Sequence, residues 1–80
     1  MLNNKKPVKA IVYFDQKGFY PIRFSYDGIK IYIYTITYLW REDRGNRRIY
    51  RFSVISSEGP YVLEYHDDLK KWYCSRPRGW

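Results

Sequence analysis

Eighty residues, a net charge of +7, a single cysteine and 21% aromatic side chains, with ten tyrosines, bound what this chain can be. A chain of this length makes one domain, burying about 60–65% of the surface its unfolded form exposes, and the lone Cys74 excludes an internal disulfide as its staple. No window approaches the roughly 20 apolar residues of a spanning helix, and the opening MLNNKKPVK carries no apolar leader segment, so the sequence predicts a soluble protein of a reducing compartment, the cytoplasm.

Strand signals recur along the chain at short spacing, and no long helical stripe interrupts them. Residues 8–14, VKAIVYF, are β-branched and aromatic and end at DQKG, where Gly18 can take positive φ. Pro21 opens PIRFSY, in which Ile22, Phe24 and Tyr26 alternate with Arg23 and Ser25. Asp27-Gly28 between two alternating apolar runs is the strongest short-range hairpin signal. The long strand over residues 29–40, IKIYIYTITYLW, is apolar on both faces. Strict alternation puts Ile29, Ile31, Ile33 and Leu39 on one side and Tyr32, Tyr34, Ile36, Tyr38 and Trp40 on the other. A bulge near Thr35 exchanges the faces partway along, which the three-residue step from Ile33 to Ile36 also requires.

A charged connection, REDRGNRR, leads into residues 49–55, IYRFSVI, with Tyr50, Phe52 and Val54 on one face. SSEGP is another turn, and in YVLEYH Tyr61, Leu63 and Tyr65 alternate with Val62, Glu64 and His66. DDLKK is a turn or one helical turn capped by Asp67, and Trp72–Cys74 makes a last short strand before the tail SRPRGW. The expected fold is therefore all-β: an antiparallel meander of five or six short strands curled into a barrel or roll of SH3-like size, closing on itself because exposed sheet edges are a liability. One domain spans residues 1–80, with an ordered core over about 8–74 and flexible ends at 1–6 and 76–80.

Pro21, Phe24, Tyr26, Gly28, Ile31, Ile33, Ile36, Trp40, Arg41 and Glu42 resemble a bacterial family of unknown function whose core reads P-x-x-F-x-W-x-G-x-x-Y-x-V-x-x-V-x-x-x-W-R-E. Tyr50-Arg51, Gly59, Tyr61, Leu63, Tyr65 and Trp72 resemble its second half, so the likeness covers roughly residues 21 to 73. Tyr26 stands where that pattern has Trp and Ile31 where it has Tyr. Members look like short independent proteins or tails of translesion-type DNA polymerase chains, which implies a DNA-linked setting. The shared positions are packing and turn residues and bring no catalytic machinery with them.

Catalysis finds little to build on, and the chain is read as a binding protein rather than an enzyme. His66 and Cys74 are the only histidine and cysteine, and alternation points them to opposite faces; a buried small thiol and a solvated imidazole are the ordinary roles for such residues. Glu64, His66, Asp67 and Asp68 form a small acidic group, of the kind that more often caps turns than holds a cation. The glycines are scattered singly, so no phosphate loop exists and no metal or other cofactor is implied.

Two binding readings remain. The first is a small intracellular protein-interaction module that self-associates, as a homodimer or with a protein partner, through an aromatic sheet face formed by Tyr32, Tyr34, Tyr38 and Trp40; Tyr, Trp and Arg are the residues enriched at interface hot spots. The second is a basic module for single-stranded DNA or RNA. There Arg41, Arg44, Arg47, Arg48 and Arg51, clustered around one hairpin, would track phosphates with help from Lys5, Lys6, Lys9, Lys30, Lys70 and Lys71. Bases would stack on Tyr32, Tyr34, Tyr38 and Tyr73. The plainer reading of the same residues is a solvated hairpin of mixed charge with lysines guarding sheet edges.

Overall fold

Turn chemistry divides the chain into strands β1 (Lys6–Asp15), β2 (Gly18–Tyr26), β3 (Ile29–Arg44), β4 (Arg47–Ser56), β5 (Gly59–His66) and β6 (Lys71–Ser75) in a computed structural model that describes residues 5–79. Asp27 and Gly28 take φ of 51° and 76°, the two left-handed conformations of a type I′ hairpin turn. At the β1–β2 turn the Lys17 amide donates to Asp15 Oδ1 at 2.8 Å, a side-chain mimic of a backbone turn. DDLKK is a turn: Lys70 has φ of 56° and its N–H donates to the His66 carbonyl at 2.8 Å, the bond of one helical turn that goes no further. The described residues contain no helix, and hence none long and apolar enough to cross a membrane.

Each strand pairs antiparallel with its successor and β6 pairs with β1, closing a six-stranded barrel. Phe24, Ile31, Phe52, Val54, Tyr61, Leu63, Trp72 and Cys74 fill its interior, and each large side chain buried there contributes about 1.5–3 kcal/mol. Phe19, from the β1–β2 hairpin, lies edge-on to Tyr50, Phe52, Tyr65 and Trp72 at centroid distances of 5.0, 5.9, 5.6 and 6.2 Å. That geometry suits the ring quadrupoles and holds the hairpin against the β4–β5–β6 sheet.

The two-faced strand is resolved by two irregularities, not one. Pairing jumps from Ile33↔Ser56 to Thr35↔Ile55, and again from Ile36↔Val54 to Tyr38↔Ser53, so Tyr34 and Thr37 are each inserted against the partner strand. The first insertion reverses the alternation and brings Ile36 to the core; the second restores it, so Leu39 lies opposite Phe52. The steps Ile33–Ile36–Leu39 are thus two successive bulges in one strand.

Strand ends run further than the sequence suggested. β3 continues through the supposed loop to Arg44 because Arg41, Glu42, Asp43 and Arg44 stand opposite Tyr50, Ile49, Arg48 and Arg47. β2 begins at Gly18, and Pro21 sits inside it at a register shift opposite Val12, a place where a missing N–H is tolerated. Near the ends, Lys6 pairs with Cys74, and Arg76 Nη1 donates to the carbonyls of Glu58 and Pro60 at 2.8 and 2.9 Å. Residues 1–4 and 80 lie outside the described part. Along β3, residues 29–32 pair with β2, whereas 33–44 pair with β4 alone among the described residues.

Candidate functional site

The arginine cluster of the β3–β4 hairpin exists, but its charge is used internally. Arg41 Nε lies 3.3 Å and Arg48 Nε 3.7 Å from Asp43 Oδ1, Arg44 Nη2 3.4 Å from Glu42 Oε2, and Arg47 Nε 3.0 Å from Asp68 Oδ2. Arg51 is held on both sides, by Glu42 through Nη1 and by Glu64 through Nε at 2.9 Å. Five guanidinium groups that sequence spacing assigned to phosphates are therefore each placed against a carboxylate.

Glu64 is the centre of this charge cluster. Its register partners are Arg51 on β4 and Tyr73 on β6, and its side chain is buried, an arrangement that an ion tolerates only when paired. His66 Nε2–H donates to Oε1 at 2.9 Å, as it must, since a carboxylate only accepts, and Lys5 Nζ reaches the same oxygen at 3.1 Å. Burial pushes the Glu64 pKa up, but the hydrogen bonds from His66, Arg51 and Lys5 outweigh it and hold the carboxyl below its usual value.

A different face carries unneutralised charge. Because Phe24 and its neighbours Ala10 and Ile31 point inward, the residues flanking them point out. They form two cross-strand rows, Lys9–Ser25–Lys30 and Ile11–Arg23–Tyr32, spanning β1, β2 and β3. Lys9, Arg23 and Lys30 form no ion pair among the described residues. The Arg23 guanidinium instead sits 5.7 Å from the centroid of the Tyr32 ring, a cation–π approach. An open depression of about 550 Å³, lined by Pro7, Val8, Lys9, Ser25 and Gly28, lies at the Lys9 end of these rows.

Tyr32 is fixed by backbone on both sides, paired with Arg23 in β2 and bonded to Ser57, whose N–H donates to its carbonyl at 2.8 Å and whose Oγ accepts from its N–H at 3.1 Å. Its side chain is 48% exposed; Tyr34, on the first bulge, is 71% exposed. Neither ring packs on another ring among the described residues. Tyr38 is exposed too, but its ring packs at 5.2 Å from Trp40. Tyr73 is half-buried against the His66 ring at 4.8 Å. Of the rings singled out from sequence, Tyr32 and Tyr34 are exposed and unstacked, and Tyr32 has the Arg23 guanidinium beside it. Lys9 and Lys30 were among the lysines expected to help; what spacing missed is Arg23 and its meeting with them across β1, β2 and β3, for which the available signal was the absence of any acidic residue from 28 to 41 and within β2.

The remaining chemical groups are occupied elsewhere. Cys74 lies in the core beside Trp72 and is pushed up to about 11 by burial, while His66 lies outside with Glu64, so the two stand on opposite sides of the sheet. Asp67 and Asp68 turn to Lys70 and Arg47, leaving the acidic group dispersed. Fold and surface together define a small closed β-barrel with a basic, tyrosine-bearing outer face. No protein-family model, curated protein or solved structure matches the chain.

Proposed function

We propose that this chain is a binding module that takes an anionic partner on the outer face of β1, β2 and the first part of β3. The observation that supports this reading is the segregation of charge: the hairpin arginines face carboxylates, whereas Lys9, Arg23 and Lys30 share a surface and form no ion pair among the described residues. Lys9 and Lys30 stand two strands apart, about 10 Å. That is near one Debye length at 0.1 M salt, so their fields add on an approaching anion. Binding should therefore fall steeply as salt rises.

Retention on a heparin column tests it. Lys9→Glu with Lys30→Glu is expected to lower the eluting salt far more than Arg47→Glu with Arg48→Glu, though both pairs remove the same formal charge. Equal loss from the two pairs would reduce the effect to net charge and defeat the assignment of this face. Self-association is the second reading, favoured by the uncharged, exposed stretch around Tyr38 and Leu39. It predicts a dimer in light scattering that persists at 0.5 M salt.

A further inference from the structure

We infer that the anionic partner is a single-stranded nucleic acid, its bases stacked on Tyr32 and Tyr34 and its phosphates held by Lys9, Arg23 and Lys30. This rests on the preceding assignment of the face and adds the chemical class of the ligand. An acidic protein surface would be served by the cations alone. The two tyrosines, both exposed and unstacked and one of them beside the Arg23 guanidinium, match a ligand that alternates negative charge with flat aromatic groups. Tyr32 is also held by the strands on either side of it, so little ordering of its backbone opposes binding.

Spacing selects single strands over duplex. Two residues of extended backbone span up to roughly 7 Å, and the bulge at Tyr34 breaks the regular row there, whereas stacked bases in a duplex rise about 3.4 Å. A ligand that places neighbouring bases on both rings must be drawn out beyond the stacked spacing. A single strand does this by rotating its backbone. A duplex cannot, because each base has both faces covered by its neighbours. The Lys9–Ser25–Lys30 row lies one further step along the sheet from Tyr32, which continues the track by another charged position at similar spacing, and the depression beside Lys9 gives the strand room to lie down.

Fluorescence anisotropy with labelled 12-nucleotide oligo-dT, oligo-U and a 12-base-pair duplex, using the full chain, tests the inference; heparin retention is measured on the same proteins. Both single strands are expected to bind more tightly than the duplex. Tyr32→Ala and Tyr34→Ala are each expected to weaken single-strand binding about tenfold, with heparin retention unchanged. Tyr32→Phe, which keeps the ring, should restore the affinity. The two rings are exposed, so the variants test stacking rather than folding, and far-ultraviolet circular dichroism checks this. Preference for duplex, or single-strand affinity indifferent to both tyrosines, overturns the inference. Heparin binding without oligonucleotide binding refutes the ligand class alone and points to another polyanion, such as an acidic protein. Loss of both refutes the face as well.

Discussion

At the scale of single residues the most consequential group is Glu64, a buried carboxylate bonded to Lys5, Arg51 and His66 from three parts of the chain. Glu64→Gln keeps the shape and removes the charge, leaving Arg51 short of a partner. It is expected to cost about 3 kcal/mol at neutral pH, read from urea denaturation. The pH dependence follows from the direction of the shift. The folded carboxyl titrates below its ordinary 4.5, so the unfolded chain binds a proton first as acid is added. Glu64 therefore contributes stability above pH 4.5, and that contribution is lost as pH falls through the folded value. The gap between wild type and Glu64→Gln should accordingly be widest at pH 7 and close on acidification below 4.5. The sequence displays Arg51 and Glu64 but not their meeting. Thirteen positions separate them, and only the β4–β5 register brings them opposite, which alternation alone does not specify.

Strands and turns were the most legible level. Asp27-Gly28 announces its own turn, because two consecutive positive φ values are accessible to few residue pairs. Gly28 has φ of 76° and nothing within 4 Å of where a Cβ would sit, so Gly28→Ala meets no clash and loses only backbone freedom. The expected cost is about 1–2 kcal/mol, or roughly 4–16 °C in Tm for a domain of this size. A drop well beyond that would mean the hairpin carries more than its turn. The first bulge in β3 was readable from the step between Ile33 and Ile36. The second was hidden, since it restores the original alternation and leaves Leu39 on the side it would have occupied in a regular strand. The reach of β3 to Arg44 was hidden for another reason: alternating charges resemble a solvated loop until cross-strand partners are known.

Over the whole molecule, pairing is uneven. β4 is paired along most of its length on both sides, with β3 and with β5, whereas the barrel is closed only by Lys6, Pro7 and Val8 against Cys74, Tyr73 and Trp72. Pro7 has no N–H to offer there. Local opening starts where few hydrogen bonds must break, so amide protons of this seam should exchange with solvent well before those of Phe52, Val54 and Leu63. Equal protection throughout would show closure to be as strong as the central sheet. Charge is uneven as well. The hairpin arginines lie against carboxylates, whereas Lys9, Arg23 and Lys30 form no ion pair among the described residues. Composition yields the total of +7 but not this division, which depends on which strands become neighbours.

The paired insertions in β3 have a last consequence, for the protein's behaviour in a crowded solution. IYIYTITYLW has no proline and no charge and the β-rich, aromatic make-up of segments that seed cross-β fibres, and from residue 33 onward one flank of it is open among the described residues. Tyr34 and Thr37 break the regular ladder that a second molecule would have to match, and bulged edges twist away from such templating. The same two residues that settle which side chains face the core thus also interrupt the template which that open flank would offer.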